Sequence, residues 1–460
     1  MKLIKPIQSS FRDPSGFLFF RNGLLCRQIN KIYKEEYDHL MISGLYNRLV
    51  KEKLLIPHVE TEGIAGQIEA YKIVQPEFIP FISYPYEWCF SQLKDAALTT
   101  LKIQKIAIES GMSLKDASAY NIQFNEGKPV LIDTLSFEKY NEGKPWIAYR
   151  QFCQHFLAPL SLMSLTDVRM SQLFRVYIDG IPLDLASLLL PKNSWLRFSL
   201  FFHIHIHARG QKHFADKQVD TQRHKLSKLS LLGIIENLEK TIQKFNWRPK
   251  GTEWADYYAN TNYSAEALQH KKDIVAEFLS KADPKTVWDI GANEGVFSGI
   301  ASDKGIKVVS FDNDPAAVEK NYLKCKLQEE TNTLPLLIDI TNPSPGIGWE
   351  NEERESFIKR GPVDMVLALA LVHHLAISNN VPLNKIANFF SNICTWLVIE
   401  FIPKCDSQVQ RLLANRADIF SNYTQQDFEV SFQDDFLILQ KVRNIDSQRI
   451  LYLMKKKGHD

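Results

Sequence analysis

The stretch "TVWDIGANEGVFS", Thr286–Ser298, decides the fold of the second half of the chain. An apolar run ends around Asp289, and Gly291 and Gly295 follow before helix-forming residues resume. Glycine adopts positive φ and lets a ligand approach the backbone, so the pattern predicts a strand, a tight turn and a helix N-terminus. The turn matches neither the GxGxxG of dinucleotide enzymes nor the GxxxxGK[ST] of a phosphate-binding loop.

Strand-like and helix-like segments alternate after this turn. The apolar runs are "KVVSFD", "LPLLIDI", "VDMVLALAL" and "TWLVIEF", and "DFLILQKVRNIDSQRILYLMKK" closes the chain as a hairpin. Short apolar strands separated by helices indicate a parallel sheet covered on both faces. We therefore predict an α/β domain over residues 251–460, a Rossmann-like doubly wound sheet of seven strands with a closing hairpin.

Two carboxylates at strand ends indicate the chemistry of the ligand. Asp289 stands just before the glycines, where it would repel a phosphate and attract an ammonium group. Asp312 ends the second strand, where it could accept hydrogen bonds from both hydroxyls of a ribose. A ligand with a ribose, an ammonium group and no phosphate is S-adenosylmethionine.

With these motifs in order, residues 251–460 resemble the class I S-adenosylmethionine-dependent methyltransferases. The resemblance implies a methyltransferase that uses S-adenosylmethionine as its cofactor. By position it places Asp289 by the methionine end, Asp312 on the ribose and Asp339 at the adenine amino group. It also assigns the turn and the pocket wall, which are Gly291, Ala292, Asn293, Gly295 and the segment from Leu369 to His374.

The methyl acceptor is less defined by the sequence. The text after the fourth strand, "LALVHHL", lacks the proline-aromatic signature of adenine and glutamine methylases. "HHLAI" resembles small-molecule and glycan O-methyltransferases, so His373 or His374 is the candidate general base. A histidine satisfied by backbone at a helix start is the alternative. Tyr257, Tyr258 and Tyr263 are candidates for the pocket or for packing.

Residues 1–208 predict a separate α+β domain, and residues 209–250 a helical connector. In "LKDASAYNIQFNEGKPVLID", Asp116 and Asn121 stand on a loop, and a short hairpin leads to Asp133. This text resembles the catalytic loop and metal-binding strand of aminoglycoside and small-molecule kinases. The resemblance implies that Asp116 orients an acceptor hydroxyl, and that Asn121 and Asp133 bind the magnesium of Mg-ATP.

Several features depart from the kinase pattern. "DPSGFLFFRNG" is a poor glycine-rich loop, and Arg27 or Lys72 would have to replace the usual lysine. A degenerate kinase-like scaffold therefore stays open beside an active kinase. Nearby, His203, His205 and His207 would share one face of a strand and could bind zinc or nickel, whereas on a helix they would spread over a wide arc.

The bulk properties are those of an ordinary globular protein. The chain has 460 residues and a formal net charge of +2, which predicts more than one domain and no nucleic-acid partner. The N-terminus does not resemble a signal peptide, and no apolar stretch predicts a membrane span. Six scattered cysteines predict reduced thiols and a cytoplasmic location.

Three functions remain open. The first is a methyltransferase whose acceptor is a small molecule or a glycan. The second is a bifunctional kinase–methyltransferase that acts on a glycan or its phosphate, and the third is a non-catalytic protein that binds a cofactor or a partner. The first half of the chain contains the stretches "FSQLKDAALTTLKIQ", "SLKDASAYNIQF" and "PWIAYRQFCQHFLAPL". With these stretches ahead of the methyltransferase-like domain, the whole chain resembles a bacterial group of nodulation-protein-like methyltransferases, and the resemblance implies an association with surface or signalling glycans.

Overall fold

The computed structural model describes residues 6–61, 69–208, 226–249, 264–414 and 416–458. They form two compact units. Unit 1 comprises Met1–Arg248 and Gly346–Arg354, and unit 2 comprises Pro249–Pro345 and Glu355–Asp460. Tyr257, Tyr258 and Tyr263 lie outside the described residues.

Unit 1 begins with a four-stranded antiparallel sheet in the order β1-β2-β4-β3. Its strands are β1 (Gly16–Arg21), β2 (Leu24–Asn30), β3 (His58–Glu60) and β4 (Ala70–Pro76). Two helices, α1 (Lys34–Ile42) and α2 (Leu45–Lys51), lie between β2 and β3 in the sequence. The single helix predicted there is wrong, because Gly44 has a φ of 76° and a left-handed residue ends an α-helix.

The rest of unit 1 is mainly helical. A long helix, α3 (Phe90–Glu109), leads into two small antiparallel pairs of strands. In these pairs β5 (Met112–Leu114) joins β8 (Phe137–Lys139), and β6 (Ile122–Asn125) joins β7 (Lys128–Leu131). The hairpin predicted after Asn121 is therefore present. The later helices are α4 (Tyr149–Phe152), α5 (Ala158–Leu165), α6 (Leu183–Leu189), α7 (Phe198–Leu200) and α8 (Lys228–Lys244).

Two segments that are distant in sequence complete unit 1. Helix α8 packs on α3, where Nζ of Lys94 donates to the Phe245 carbonyl at 2.7 Å. The segment Gly346–Arg354 stands between two strands of unit 2 in sequence but belongs to unit 1. Within unit 1, Arg12 donates two hydrogen bonds to the buried carboxylate of Glu353, at 2.6 and 2.8 Å.

Unit 2 contains a seven-stranded sheet in the order β11-β10-β9-β12-β13-β15-β14. The strands are β9 (Thr286–Ile290), β10 (Lys307–Asp312), β11 (Thr333–Leu337), β12 (Val363–Ala368), β13 (Cys394–Phe401), β14 (Phe436–Arg443) and β15 (Ile450–Lys456). The first five strands in this order are parallel, and the β14–β15 hairpin joins β13 antiparallel. The predicted strands and closing hairpin are present, and the complete sheet is mixed.

The α-helices among the described residues of unit 2 are α9 (Ala265–Ala282), α10 (Val296–Ser302), α11 (Pro315–Leu327), α12 (Leu383–Ile393), α13 (Ser407–Leu413) and α14 (Gln425–Gln433). Phe278 of α9 packs in one core cluster with Val287 and Leu367 of the central strands. Side chains from the opposite face of β9 and β10, Trp288 and Phe311, pack against Phe357. Apolar burial on both faces fixes the register, so the parallel strands end at one edge of the sheet.

Candidate active site

A cavity of about 370 Å³ opens in unit 2 beside the ends of four neighbouring parallel strands. Each strand contributes residues from its carboxyl end to the lining, including Gly291, Asp312, Asp339 and Leu369. In doubly wound sheets this edge is where ligands bind. The volume is also in the range of small-molecule sites.

The cavity brings together most of the residues that the sequence predicted for it. They are Asp289, Gly291, Asn293, Asp312, Asp339, Leu369, His373 and His374. Ala292 and Gly295 do not line the cavity. Ala292 is buried, and its amide donates to the Phe311 carbonyl at 2.9 Å.

The two glycines of the turn serve different purposes. Both have left-handed backbones, with φ of 81° at Gly291 and 74° at Gly295. A Cβ at Gly295 would lie 2.6 Å from Oδ1 of Asn321, so this position also requires glycine for packing. A Cβ at Gly291 would meet only Leu371 and the Leu369 carbonyl, at 3.7 Å or more. Gly291 therefore leaves backbone open toward the cavity.

Two buried carboxylates, Asp289 and Asp312, give the cavity its negative charge. Ser298 donates its hydroxyl to Asp289 at 2.6 Å. The amides of Asn293 and Asp314 donate to the two oxygens of Asp312, at 2.7 and 2.9 Å. Burial is the main cause that raises the pKa of Asp289, and likewise the pKa of Asp312, to about 6. At neutral pH both groups are ionised, and each would gain from a cationic or hydrogen-bonding ligand.

Asp339 and Leu369 occupy different depths of the site. Asp339 is exposed, and its Oδ1 accepts hydrogen bonds from the amide and hydroxyl of Thr341, at 2.8 and 2.6 Å. Leu369 is buried in the wall that follows β12. The cavity thus has a polar rim near β11 and an apolar wall near β12.

His373 and His374 differ in their hydrogen bonding. Nδ1 of His373 is buried and has no hydrogen-bond partner among the described residues. Burial, followed by the charges of His374, Arg449 and Lys271, lowers the pKa of His373 well below 6.5. Burial also lowers the pKa of His374, to about 4. Both imidazoles therefore favour the neutral form, and Nδ1 of His373 is a buried polar atom without a hydrogen bond among the described residues.

Lys271 and Glu400 form a buried ion pair that sequence reasoning missed. Nζ of Lys271 donates to Oε2 of Glu400 at 2.7 Å, and the Ala370 amide donates to the same oxygen at 2.8 Å. Ala370 has a φ of 50°, so Glu400 holds a left-handed residue where the chain leaves β12. The signal in the sequence was a single carboxylate inside the apolar strand "TWLVIEF".

Arg449, also missed, lines the same cavity from the hairpin side. It is buried, and it donates to both oxygens of Asp406, at 2.7 and 3.1 Å. The paired geometry fixes the guanidinium and neutralises its charge. Arg449 also lines a second, more polar cavity of about 460 Å³ with Asp406 and Asp446.

In unit 1, the predicted kinase-like residues lie close together but are engaged with other groups. Asp133 pairs with Arg27 and accepts the Ser136 hydroxyl at 2.6 Å. Burial alone would raise the pKa of Asp133, but Arg27 and the hydrogen bonds hold it below its ordinary value. Asn121 donates its amide to the Ser136 hydroxyl at 3.3 Å. Asp116 accepts the Gln151 amide at 2.8 Å, and burial followed by the charge of Asp133 raises its pKa.

The magnesium site at Asn121 and Asp133 stays a prediction. Within the described ranges, no group of three or more His, Cys, Asp or Glu side chains could hold a metal ion. Arg27 is the residue that reaches Asp133, whereas Lys72 pairs with Glu60.

The histidines at alternate positions lie on a helical segment, Phe198–Ala208, and not on a strand. His203 contacts the Tyr149 hydroxyl at 2.5 Å and Oδ1 of Asn237 at 2.9 Å. Both ring nitrogens of His205 contact serine hydroxyls. The zinc or nickel site considered from the sequence therefore does not form among the described residues, because packing contacts occupy these rings.

No family model matches the chain, but a relative is similar to it over nearly its whole length. It is 34% identical over 459 residues to the nodulation protein NoeA of Rhizobium meliloti (strain 1021), covering 98% of this chain and 96% of the relative.

Two similar solved structures are methyltransferases. Magnesium protoporphyrin IX methyltransferase (ChlM) from Synechocystis PCC 6803, with bound SAH, is 15% identical and covers 44% of this chain and 93% of its own, with a TM-score of 0.32. The N-methyltransferase NodS from Bradyrhizobium japonicum WM9 is 11% identical and covers 42% and 99%, with the same TM-score.

The seven-stranded sheet, its glycine turn and the acidic residues at its strand ends are the features on which the chain resembles class I S-adenosylmethionine-dependent methyltransferases. The relative identifies the family more narrowly. The chain belongs to the family of the nodulation protein NoeA.

Proposed function

We propose that this chain transfers the methyl group of S-adenosylmethionine to a hydroxyl of a small molecule or glycan. One observation carries the acceptor side of the proposal: the buried, unpaired Nδ1 of His373 in the wall of the cavity that Asp289 and Asp312 also line. A neutral imidazole with an unpaired nitrogen can act as the general base that a hydroxyl acceptor needs.

The cofactor side rests on charge and backbone shape. Asp289 faces the cationic ammonium of the cofactor, and Asp312 accepts hydrogen bonds from the ribose hydroxyls. Burial raises the pKa of both carboxyl groups, so each would gain from a cationic or hydrogen-bonding ligand. Gly291 leaves the backbone open to the ligand, and exposed Asp339 at the rim meets the adenine amino group.

The bound cofactor supplies an electrophilic methyl group on a sulfonium sulfur. His373 would take the proton that the acceptor hydroxyl loses when its oxygen gains the methyl group and the sulfur of the cofactor leaves as a thioether. The Lys271–Glu400 pair holds Ala370, three residues before His373, and so keeps the histidine's segment in place. Leu369 and the other apolar side chains of this wall exclude water from the reacting oxygen.

Unit 1 binds part of the acceptor as a scaffold in this proposal. A bifunctional kinase–methyltransferase is the second candidate, because Asp116, Asn121 and Asp133 do lie around one loop. The pairing of Asp133 with Arg27 and Ser136 favours the scaffold.

Labelled methyl transfer tests the proposal. Purified protein is incubated with S-adenosylmethionine carrying a deuterated methyl group and with small-molecule and glycan fractions from cells that lack the chain. Mass spectrometry should find the label on an oxygen of one acceptor. His373→Gln should reduce the rate by about 10²–10⁴-fold with cofactor affinity retained, whereas the matched control His374→Gln should remain active. Label in no fraction, or an inactive His374→Gln beside an active His373→Gln, would contradict it.

A further inference from the structure

Lys271 is a buried lysine in the wall of the cavity. It lies on the face of α9 that also buries Ile274 and Phe278, so a charged side chain interrupts an apolar stripe. Its side chain is only 3% exposed, and it lines the cavity. The ion pair with Glu400 compensates its charge, but a buried pair is often no more stabilising than apolar residues of similar size. The place of this lysine in a cavity wall therefore points to a role in binding.

Lys271 lies at the end of the cavity that Asp289 occupies. Its Nζ is 5.0 Å from the ring centroid of Phe297, and the next residue, Ser298, donates its hydroxyl to Asp289 at 2.6 Å. The two charges also act on each other. Burial raises the pKa of Asp289, and the charge of Lys271 acts against this rise. The cavity thus presents a cation and an anion near each other.

The amino-acid end of S-adenosylmethionine carries the same two charges in reverse. Its α-carbon bears an ammonium and a carboxylate, so the protein groups that bind them must be neighbours. In the proposed function Asp289 binds the ammonium, and the carboxylate then needs a donor close to Asp289. A lysine ammonium has three N–H donors, so a carboxylate of the ligand can share it with Oε2 of Glu400.

Arg449 is the other cationic side chain that lines the cavity among the residues that the structure describes. Two hydrogen bonds to the carboxylate of Asp406 hold its guanidinium, and it lines the second, more polar cavity as well. Arg449 is thus placed toward the second cavity, and Lys271 toward Asp289. The cation near the expected position of the cofactor's carboxylate is therefore Lys271.

We propose that Lys271 binds the carboxylate of the cofactor's amino-acid end, beside Asp289, which binds its ammonium. The inference rests on the proposed function, because it names a further group that holds the same cofactor. Lys271 then contacts two carboxylates, and the one of Glu400 fixes where its ammonium lies. The same oxygen of Glu400 accepts the Ala370 amide at 2.8 Å. One carboxylate therefore links cofactor recognition to the segment that leads to His373.

Calorimetry of the full chain with three ligands tests this assignment. S-adenosylhomocysteine has both charges of the amino-acid end, its decarboxylated analogue keeps only the ammonium, and methylthioadenosine has neither. The double variant Lys271→Met/Glu400→Gln removes both members of the ion pair, so it leaves no member of the pair buried without its partner. It should bind S-adenosylhomocysteine at least tenfold more weakly than wild type does, because a charge-assisted hydrogen bond is lost. Its affinities for the other two ligands should stay within about threefold of wild type, because neither has the carboxylate and the removed pair has no net charge.

Asp312→Ala is the matched control, because all three ligands contain the ribose. This variant should weaken the binding of each ligand by a similar factor. Unchanged affinity of the double variant for S-adenosylhomocysteine, or an equal loss for all three ligands, would overturn the assignment of Lys271 and leave the cofactor site standing. Wild type that binds none of the three would overturn the proposed function together with this inference.

Discussion

Replacing Asp289 by asparagine should stabilise the ligand-free protein and weaken cofactor binding at the same time. Burial raises the pKa of this carboxyl to about 6, against 3.8 for an ordinary aspartate. Between those pH values the folded protein binds more protons than the unfolded chain, so this group's contribution to stability falls as pH rises. The difference between these two pKa values corresponds to about 3 kcal/mol of unfolding free energy. The folded protein has lost all of it above about pH 6.

Asparagine removes the buried charge and can still accept the Ser298 hydroxyl. The free energy of unfolding of Asp289→Asn should therefore exceed that of wild type by about 1–3 kcal/mol at pH 7.5 and by almost nothing at pH 4. The gain should be closer to 1 kcal/mol if the loss of the Asp289 charge also removes a favourable interaction with the Lys271 ammonium. Comparing the two proteins at each pH cancels the contributions of titrating groups that do not interact with Asp289, which leaves Asp312 and Lys271 as coupled groups.

Urea denaturation at both pH values measures the difference, and the transition that S-adenosylhomocysteine shifts identifies unit 2. Calorimetry on the same variant should show affinity for S-adenosylmethionine reduced by about 1.5–3 kcal/mol, because the ammonium group loses a charged acceptor. Ser298→Ala is the control: it keeps the charge, removes a bond to it and should destabilise the protein. A variant Asp289→Asn less stable than wild type at pH 7.5, or a difference independent of pH, would refute the reasoning.

Three other perturbations have expected outcomes, and a nucleotide titration completes the set. Gly291→Val should abolish S-adenosylhomocysteine binding in calorimetry, since a β-branched residue cannot readily adopt a φ of 81°; measurable binding would contradict an open backbone there. Asp312→Ala should weaken that binding by about 1.5–3 kcal/mol, and an unchanged dissociation constant would place the ribose elsewhere. Lys271→Met should lower the free energy of unfolding by about 3–5 kcal/mol, because it leaves the buried carboxylate of Glu400 unpaired. The double variant Lys271→Met/Glu400→Gln should recover most of this loss. Urea denaturation that shows no recovery would contradict the pairing. Millimolar Mg-ATP should not raise the melting temperature of wild type, and a rise that Asp133→Ala removes would support the kinase instead.

The strands of the sheet, and the two aspartates of the site at their ends, could be predicted from local sequence. "TVWDI" and "KVVSFD" are apolar runs of strand length, and each has a carboxylate at or near its end. Since parallel strands end at the same edge, Asp289 and Asp312 had to lie close together once the sheet was inferred. The glycine turn between them is equally local, because positive φ selects glycine at Gly291 and Gly295.

Long-range pairs could not be predicted in the same way. Lys271 and Glu400 meet across 129 positions, and Arg12 and Glu353 across 341. No periodicity or spacing connects such residues, because only the packed fold brings them together. A carboxylate such as Glu400 inside an apolar strand needs a polar or charged partner once it is buried, but the sequence does not identify Lys271 as that partner.

The histidines show the limit of pattern reasoning. Alternation at His203, His205 and His207 suits a strand, but the apolar residues between them, Ile204 and Ile206, are equally compatible with a helix. The structure makes this segment helical, with Ile204 buried and Ile206 exposed. A short apolar run fits the pattern of a strand and the pattern of a helix equally well. Packing in the tertiary fold therefore decides which of the two structures forms.

Isothermal titration calorimetry tests most directly whether the cavity in unit 2 binds the cofactor. The purified full chain is titrated with S-adenosylmethionine and, separately, with S-adenosylhomocysteine. We expect each ligand to bind one site with at least micromolar affinity. We also expect Gly291→Val to eliminate both signals while the protein stays folded. The absence of heat for both ligands with folded wild-type protein would contradict the assignment of this cavity to the cofactor.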